Sequence, residues 1–292
     1  MLADQLPQWL ELSLQEIYKG KLPTYIPLLA QADPRMIAIA IQPIDGDRLM
    51  AGDTTATFPL MSAIKPFLLL YLLENFGREA VSKMVDAEPS AEAFNAIPNG
   101  KPKNPMINSG AIALSSLLTS SENLQNWLNQ RSGANLILDF SMLASVRSVP
   151  NRRNLAIASQ LTSLGIVANS SQALKIYEEI CCLRSNVQDL AKIGALLIDT
   201  KRSPHIPMVL EIMLRCGMYE ASAAFAQDVG LASKSSVSGA LLSIIPDRAV
   251  IACYSPALDA IGNSVAGLFL VRQIKNYILE LGHEASESSI KN

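Results

Sequence analysis

Strand-forming sequence lies at the two ends of this chain, and that separation limits the folds open to it. Near the start, Met36-Ile37-Ala38-Ile39-Ala40-Ile41 carries β-branched residues at alternate positions, and Asp45-Gly46 follows as a hairpin turn signal. Far downstream, residues 240–245 and 249–254 form two further apolar runs on either side of Pro246-Asp247, and 264–271 reads as another strand with helix from Asn276 onward. The stretch between, about 81–198, has the periodic Leu, Ile and Ala of several helices, with loops expected at 98–105 and 145–153. A sheet must therefore be assembled from both ends of the chain around a helical insert. The expected fold class is mixed α+β, an antiparallel sheet flanked by helices. Its organisation is a discontinuous sheet-containing lobe (1–65 with 205–292) and a helical lobe (66–204), joined in one catalytic unit.

Residues 1–21 mix Asp4, Glu11 and Glu16 with apolar positions, the pattern of an amphipathic helix rather than of an export signal. A long apolar helix is expected over 62–76, with Pro66 in its first turn and Gly77 as its left-handed stop. The longest apolar runs fall well short of the roughly 18 residues that a membrane-spanning helix needs. The expected location is the cytoplasm, with no membrane partner.

Several chemistries are disfavoured by what the chain contains. A net charge of -2 and the lack of a basic stripe argue against nucleic acid as a partner. The only histidines, His205 and His283, make a Ser-His-Asp triad or a histidine-rich metal site a poor fit. Cys181, Cys182, Cys216 and Cys253 lack metal-site spacing and read as buried free thiols.

Chemistry is offered instead by Ser62-Ala63-Ile64-Lys65, an S-x-x-K element opening an apolar helix. A spacing of three sets both side chains on one face, where a desolvated lysine can take the serine proton. Alone this is weak, since Ser288 to Lys291 matches the same pattern within a polar tail. Weight comes from Lys234-Ser235-Ser236-Val237, just before the strand at 240. S-x-x-K paired with K-T-G marks class A β-lactamases and penicillin-binding proteins, the second element lying on an edge strand that faces the nucleophile. Here Ser236 stands at the glycine of that triplet, and no S-D-N element is found. In this arrangement the backbone N–H groups of Ser62 and Val237 form the oxyanion hole.

Beyond these elements the chain resembles the glutaminase family over about residues 25–267. The resemblance rests on Gly52-Asp53-Thr54, on Glu88-Pro89-Ser90 with Phe94-Asn95, and on the run from Asn104 to Ile112. It continues through Cys216-Gly217-Met218-Tyr219 and from Ser255 to Asp259 into Gly262-Asn263-Ser264-Val265. It implies a β-lactamase-like fold and hydrolysis of L-glutamine to L-glutamate and ammonia. It also implies Ser62 as nucleophile, Lys65 as base, and Tyr219 touching the reacting centre and relaying a proton to the departing ammonia. Tyr25 matches a further active-site tyrosine. Asn108, Asn154 and Tyr177 match positions that hold the amino-acid end of the substrate, and Val237 matches the oxyanion donor. No cofactor is implied, and a homodimer or homotetramer is.

Two departures stand out. Met61 replaces the family's usual glutamine before the nucleophile. The family also has a glutamate about seven residues before the asparagine that Asn154 matches, binding the substrate α-ammonium, whereas residues 145–154 contain no carboxylate and Arg147 holds that place. Two readings stay open: a substrate without a free α-amino group or with an added anion near Arg147, Arg152 and Arg153, or a neighbouring carboxylate such as Glu178 or Glu179 taking over the ammonium. Two competing functions also remain, a penicillin-acylated hydrolase of the same fold and a catalytically impaired binding or structural subunit.

Overall fold

The computed structural model describes residues 1–89 and 100–290, with side chains to Ile278. Of the sequence blocks above, Ser90 and Phe94-Asn95, and with them Lys291, lie outside the described residues.

Strands β1 (Ala38–Pro43), β2 (Leu49–Gly52), β6 (Ala232–Ser235), β7 (Ala240–Ile245) and β8 (Ala249–Tyr254) form one antiparallel sheet in the order β2-β1-β8-β7-β6. The order puts β1 directly against β8, with Ala38 opposite Tyr254 and Pro43 opposite Ala249. The two ends of the chain therefore meet in the middle of the sheet. The Pro246-Asp247 turn closes β7 onto β8 with Asp247 in the left-handed region at φ 55°, its carboxylate accepting from the Thr200 N–H and hydroxyl.

Period-two alternation divides the strand residues between two cores. Ala38, Ala40, Leu242, Ile244, Val250 and Ala252 face the helical side, while Ile39, Ile41, Leu241, Ile245, Ile251 and Cys253 face α1 (Leu2–Ile17) and α11 (Val265–Ile290). A sheet covered on both faces favours apolar residues on both, which is why β1, β7 and β8 are mostly apolar; the buried Ser243 of β7 is satisfied by the Ser233 hydroxyl of β6 at 2.7 Å. Helix α1 contributes Leu6, Trp9, Ser13 and Ile17 from one side, and Trp9 meets Tyr277 of α11 edge-on at 5.7 Å.

The strand expected at 264–271 is instead the beginning of α11. Val265, Gly267, Phe269 and Val271 alternate, but the fully buried side chains are Ala266, Leu270, Val271 and Ile274, the three- and four-residue spacing of a helix face. Ser264 fixes the start, its Oγ accepting from the Gly267 N–H at 3.2 Å.

On the other face lies α2 (Lys65–Met84), whose residues Phe67 to Leu70, Leu72 and Leu73 are almost wholly buried, making it a central helix. Gly77 interrupts it at φ 80°, after which the helix resumes to Met84 rather than ending. Around it run α3 (Asn108–Ser115), α4 (Ser121–Ser132), α5 (Phe140–Ser148), α6 (Arg152–Ser163), α7 (Ser170–Cys181), α8 (Val187–Gly194), α9 (Ile206–Cys216) and α10 (Ser222–Asp228). The loop expected at 145–153 shrinks to three residues, because α5 continues to Ser148 and α6 begins at Arg152. Short strands β3 (Phe58–Pro59), β4 (Ile137–Leu138) and β5 (Leu183–Ser185) form a second sheet in the order β3-β5-β4. Through the β3–β5 pairing it ties the segment entering Ser62 to the end of α7. Among the described residues no helix is long and apolar enough to cross a membrane.

Candidate active site

Between β3 and α2 the chain makes one 3₁₀ turn, Met61–Ile64, entered through Met61 at φ 46°. A left-handed non-glycine residue is strained backbone of the kind that clusters at functional sites. In a 3₁₀ turn residues i and i+3 eclipse, a closer superposition than the α-helical spacing expected here. Ser62 and Lys65 are that pair, and the Lys65 N–H donates to the Ser62 carbonyl. Both side chains are buried, Lys65 to 1% exposure.

The Lys65 Nζ donates to the Met106 carbonyl at 3.1 Å and to Asn108 Oδ1 at 2.8 Å. Among the described residues no carboxylate pairs with it, and burial lowers its pKa to about 8. Asn108, in the first turn of α3, is the hub of this corner. Its Oδ1 also accepts from the Tyr177 hydroxyl at 2.9 Å, and its Nδ2 donates to Asn154 Oδ1 at 3.1 Å. Lys65, Asn108, Asn154 and Tyr177, each expected at the site, thus form one hydrogen-bonded network drawn from α2, α3, α6 and α7. Burial also holds the Tyr177 phenol well above its ordinary pKa, so it remains a proton donor.

The opposite wall is the edge strand β6. Lys234 is fully buried, donating to the carbonyls of Gly217 and Ser235 at 2.9 and 2.7 Å. Its Nζ lies 4.5 Å from the centre of the Tyr219 ring. Burial, and then the charge of Lys65, push the Lys234 pKa well below its usual range. Tyr219, at φ 54°, donates to the Ser235 carbonyl at 3.2 Å. Desolvation raises its pKa, and the neighbouring Ser62 hydroxyl opposes that rise. Ser236 Oγ donates to the Leu60 carbonyl at 2.9 Å, joining the strand end to the turn that carries Ser62, while Val237 lines the same cavity.

Gly217, which precedes this tyrosine by two residues, is needed for close approach. A Cβ there would lie 1.8 Å from the Ser233 carbonyl oxygen. The end of α9 can therefore press against β6 and deliver Tyr219 to the cavity.

The cavity measures about 1050 Å³ and is lined by all eight residues singled out from the sequence: Tyr25, Ser62, Lys65, Asn108, Asn154, Tyr177, Tyr219 and Val237. Tyr25 stands apart from the others, 57% exposed at the rim. Arg152 and Arg153 also line it, whereas Arg147 does not. Arg147 Nε instead donates to Glu178 Oε2 at 2.9 Å, and Asn151 Nδ2 donates to Glu178 Oε1 at 3.1 Å. Sequence reasoning missed three features: the Lys234–Tyr219 contact, the Ser236–Leu60 link and Asn151. Motif spacing signals Lys234 and Ser236, but nothing in the sequence shows what they touch.

Residues 20–280 match the Glutaminase family profile. The chain is 39% identical to a glutaminase of Synechocystis sp., over 94% of this chain and 88% of that one. It is 34% identical to a glutaminase of Microcystis aeruginosa, covering 89% and 82% of the two chains. Its fold superposes with a TM-score of 0.85 on a probable glutaminase from Bacillus subtilis solved in complex with 6-diazo-5-oxo-L-norleucine, at 27% identity and 94% coverage of each chain. This chain, with its buried serine–lysine turn facing an edge-strand lysine and matched almost end to end by these proteins, belongs to the glutaminase family.

Proposed function

We propose that this chain hydrolyses the side-chain amide of L-glutamine to L-glutamate and ammonia through an acyl-enzyme on Ser62. The observation that carries the mechanism is the Lys65 amine, buried, eclipsed with Ser62 and hydrogen-bonded only to neutral oxygens. With a pKa of about 8, roughly a tenth of it is unprotonated at pH 7. Two N–H bonds go to Met106 and Asn108, which leaves the third position of the tetrahedral nitrogen for the serine proton.

Ser62 Oγ attacks the amide carbon as Lys65 takes its proton. The negative oxygen that forms is received by the backbone N–H groups of Ser62 and Val237, each such donor being worth about 10²–10³ in rate. Tyr219 relays the proton that Lys65 has taken to the amide nitrogen, so the C–N bond breaks and ammonia leaves, with Lys65 neutral and Tyr219 protonated once more. Water then adds to the ester with Lys65 again as base, and glutamate departs as Ser62 recovers its proton. Asn108, Asn154 and Tyr177 hold the amino-acid end, and Tyr25 closes the rim over it.

The same reading divides the chain into a sheet-containing lobe, 1–65 with 205–292, and a helical lobe, 66–204. Support comes from the site itself, which draws Ser62, Tyr219 and Val237 from one and Asn108, Asn154 and Tyr177 from the other. A cytoplasmic homodimer or homotetramer completes the proposal. The four buried, unpaired cysteines favour a reducing compartment, and the oligomer follows from the family resemblance.

Ammonia release from L-glutamine by the purified chain, run beside Ser62→Ala, tests the assignment. Release by the wild type alone is expected. A folded wild type that yields no ammonia would overturn it.

A further inference from the structure

Glutamine carries an α-ammonium as well as a reacting amide, and a cavity that selects it must offer that cation an acceptor. Among the described residues three carboxylates line the cavity: Glu178, Glu220 and Asp259. Asp259 is occupied, its Oδ1 accepting the N–H groups of Ile261, Gly262 and Asn263 at 2.8–2.9 Å. Glu220 is exposed. Glu178 is buried, follows Tyr177 on α7, and lines the cavity together with Asn108 and Asn154.

Each Glu178 oxygen accepts one bond, from Arg147 and from Asn151. A carboxylate offers about four acceptor positions, so two remain. Arg147 approaches from α5, outside the cavity lining, with its side chain 42% exposed. A buried carboxylate needs a partner when the site is empty, and Arg147 provides one without occupying the cavity.

Resting on the glutamine reading above, we infer that Glu178 receives the substrate α-ammonium and that Arg147 and Asn151 are positioning residues that fix its carboxylate. The carboxylate absent from 145–154 has thereby been supplied from the adjacent helix, and Arg147 serves it rather than the substrate.

The test compares L-glutamine with glutaramate, the same amide without the α-amino group, on wild type, Glu178→Gln, Glu178→Asp and Ser62→Ala. Glu178→Gln is expected to lower kcat/KM for glutamine by about ten- to a hundredfold, the loss of a charge-assisted bond, chiefly through KM. Glutaramate turnover should stay within about twofold by the same rule, since it makes no such bond. Glu178→Asp, which keeps the charge, should recover part of the loss. Equal losses on both substrates, or none, would overturn the inference while leaving the Ser62-dependent hydrolase standing. A wild type inert on both amides would remove the hydrolase reading instead. Calorimetry of L-glutamate against glutarate would then decide the ammonium site, and equal affinities in wild type and Glu178→Gln would sink it.

Discussion

Ser236 Oγ and the Leu60 carbonyl, 176 positions apart in the chain, are joined by a buried 2.9 Å hydrogen bond. Leu60 is the residue from which the Ser62 turn departs, and Ser236 immediately precedes Val237. The bond therefore sets the distance between the nucleophile and the second oxyanion donor of the proposed mechanism.

Ser236→Ala leaves the Leu60 carbonyl without this donor. That carbonyl keeps the Ala63 N–H at 2.9 Å, so the expected cost is about 0.5–1.5 kcal/mol of stability, the net worth of one hydrogen bond, together with a fall in kcat larger than any rise in KM. Chemical denaturation and steady-state kinetics check both. An unchanged kcat in a folded variant would show that the spacing is held by other contacts.

The lowered pKa of Lys65 gives the reaction a definite pH profile. The active form is the neutral amine, so kcat/KM rises with pH to a midpoint at about 8 and levels above it. The accompanying stability change has the same sign. Between pH 8 and the ordinary lysine value of about 10.4, the unfolded chain binds more protons at this position than the folded one, so folding is favoured as pH rises through that window. A profile already flat from pH 6 upward would remove Lys65 from the role of base.

Gly217→Ala would drive its Cβ into the Ser233 and Met213 carbonyl oxygens, at 1.8 and 2.5 Å. Neither is the end of a flexible side chain, so α9 must move away from β6. A loss of about 1–3 kcal/mol or more is expected, with activity falling further as Tyr219 is displaced. Thermal unfolding beside kinetics measures it, and a variant as stable as wild type would mean that the helix end can shift freely.

The sheet was readable from the sequence because β1, β7 and β8 are largely apolar runs bounded by turn signals, and α1 because its charges alternate with an apolar face. The start of α11 was misread for a specific reason. Val265, Gly267, Phe269 and Val271 satisfy a period of two, while the burial that decides the matter follows Ala266, Leu270, Val271 and Ile274. Strands β3 and β4, two residues each, are too short to carry any period. At the site, Ser62, Lys65 and Lys234 were signalled by spacing, and the asparagines and tyrosines by resemblance. The grip of Arg147 and Asn151 on Glu178 was not legible, because it depends on how the end of α5 and the turn after it pack on α7.

The meeting of β1 with β8 at the centre of the sheet also governs how the molecule can come into being. On the ribosome, the β1–β2 hairpin emerges early and then waits for some 200 further residues before its inner neighbour exists. The loop that must close is long, and the contacts that reward closure are non-local, a topology that folds slowly. Ser62 and Lys65 leave the exit tunnel long before Lys234 and Val237 do, so the nascent chain has no assembled catalytic centre until some 170 residues after the nucleophile have been made.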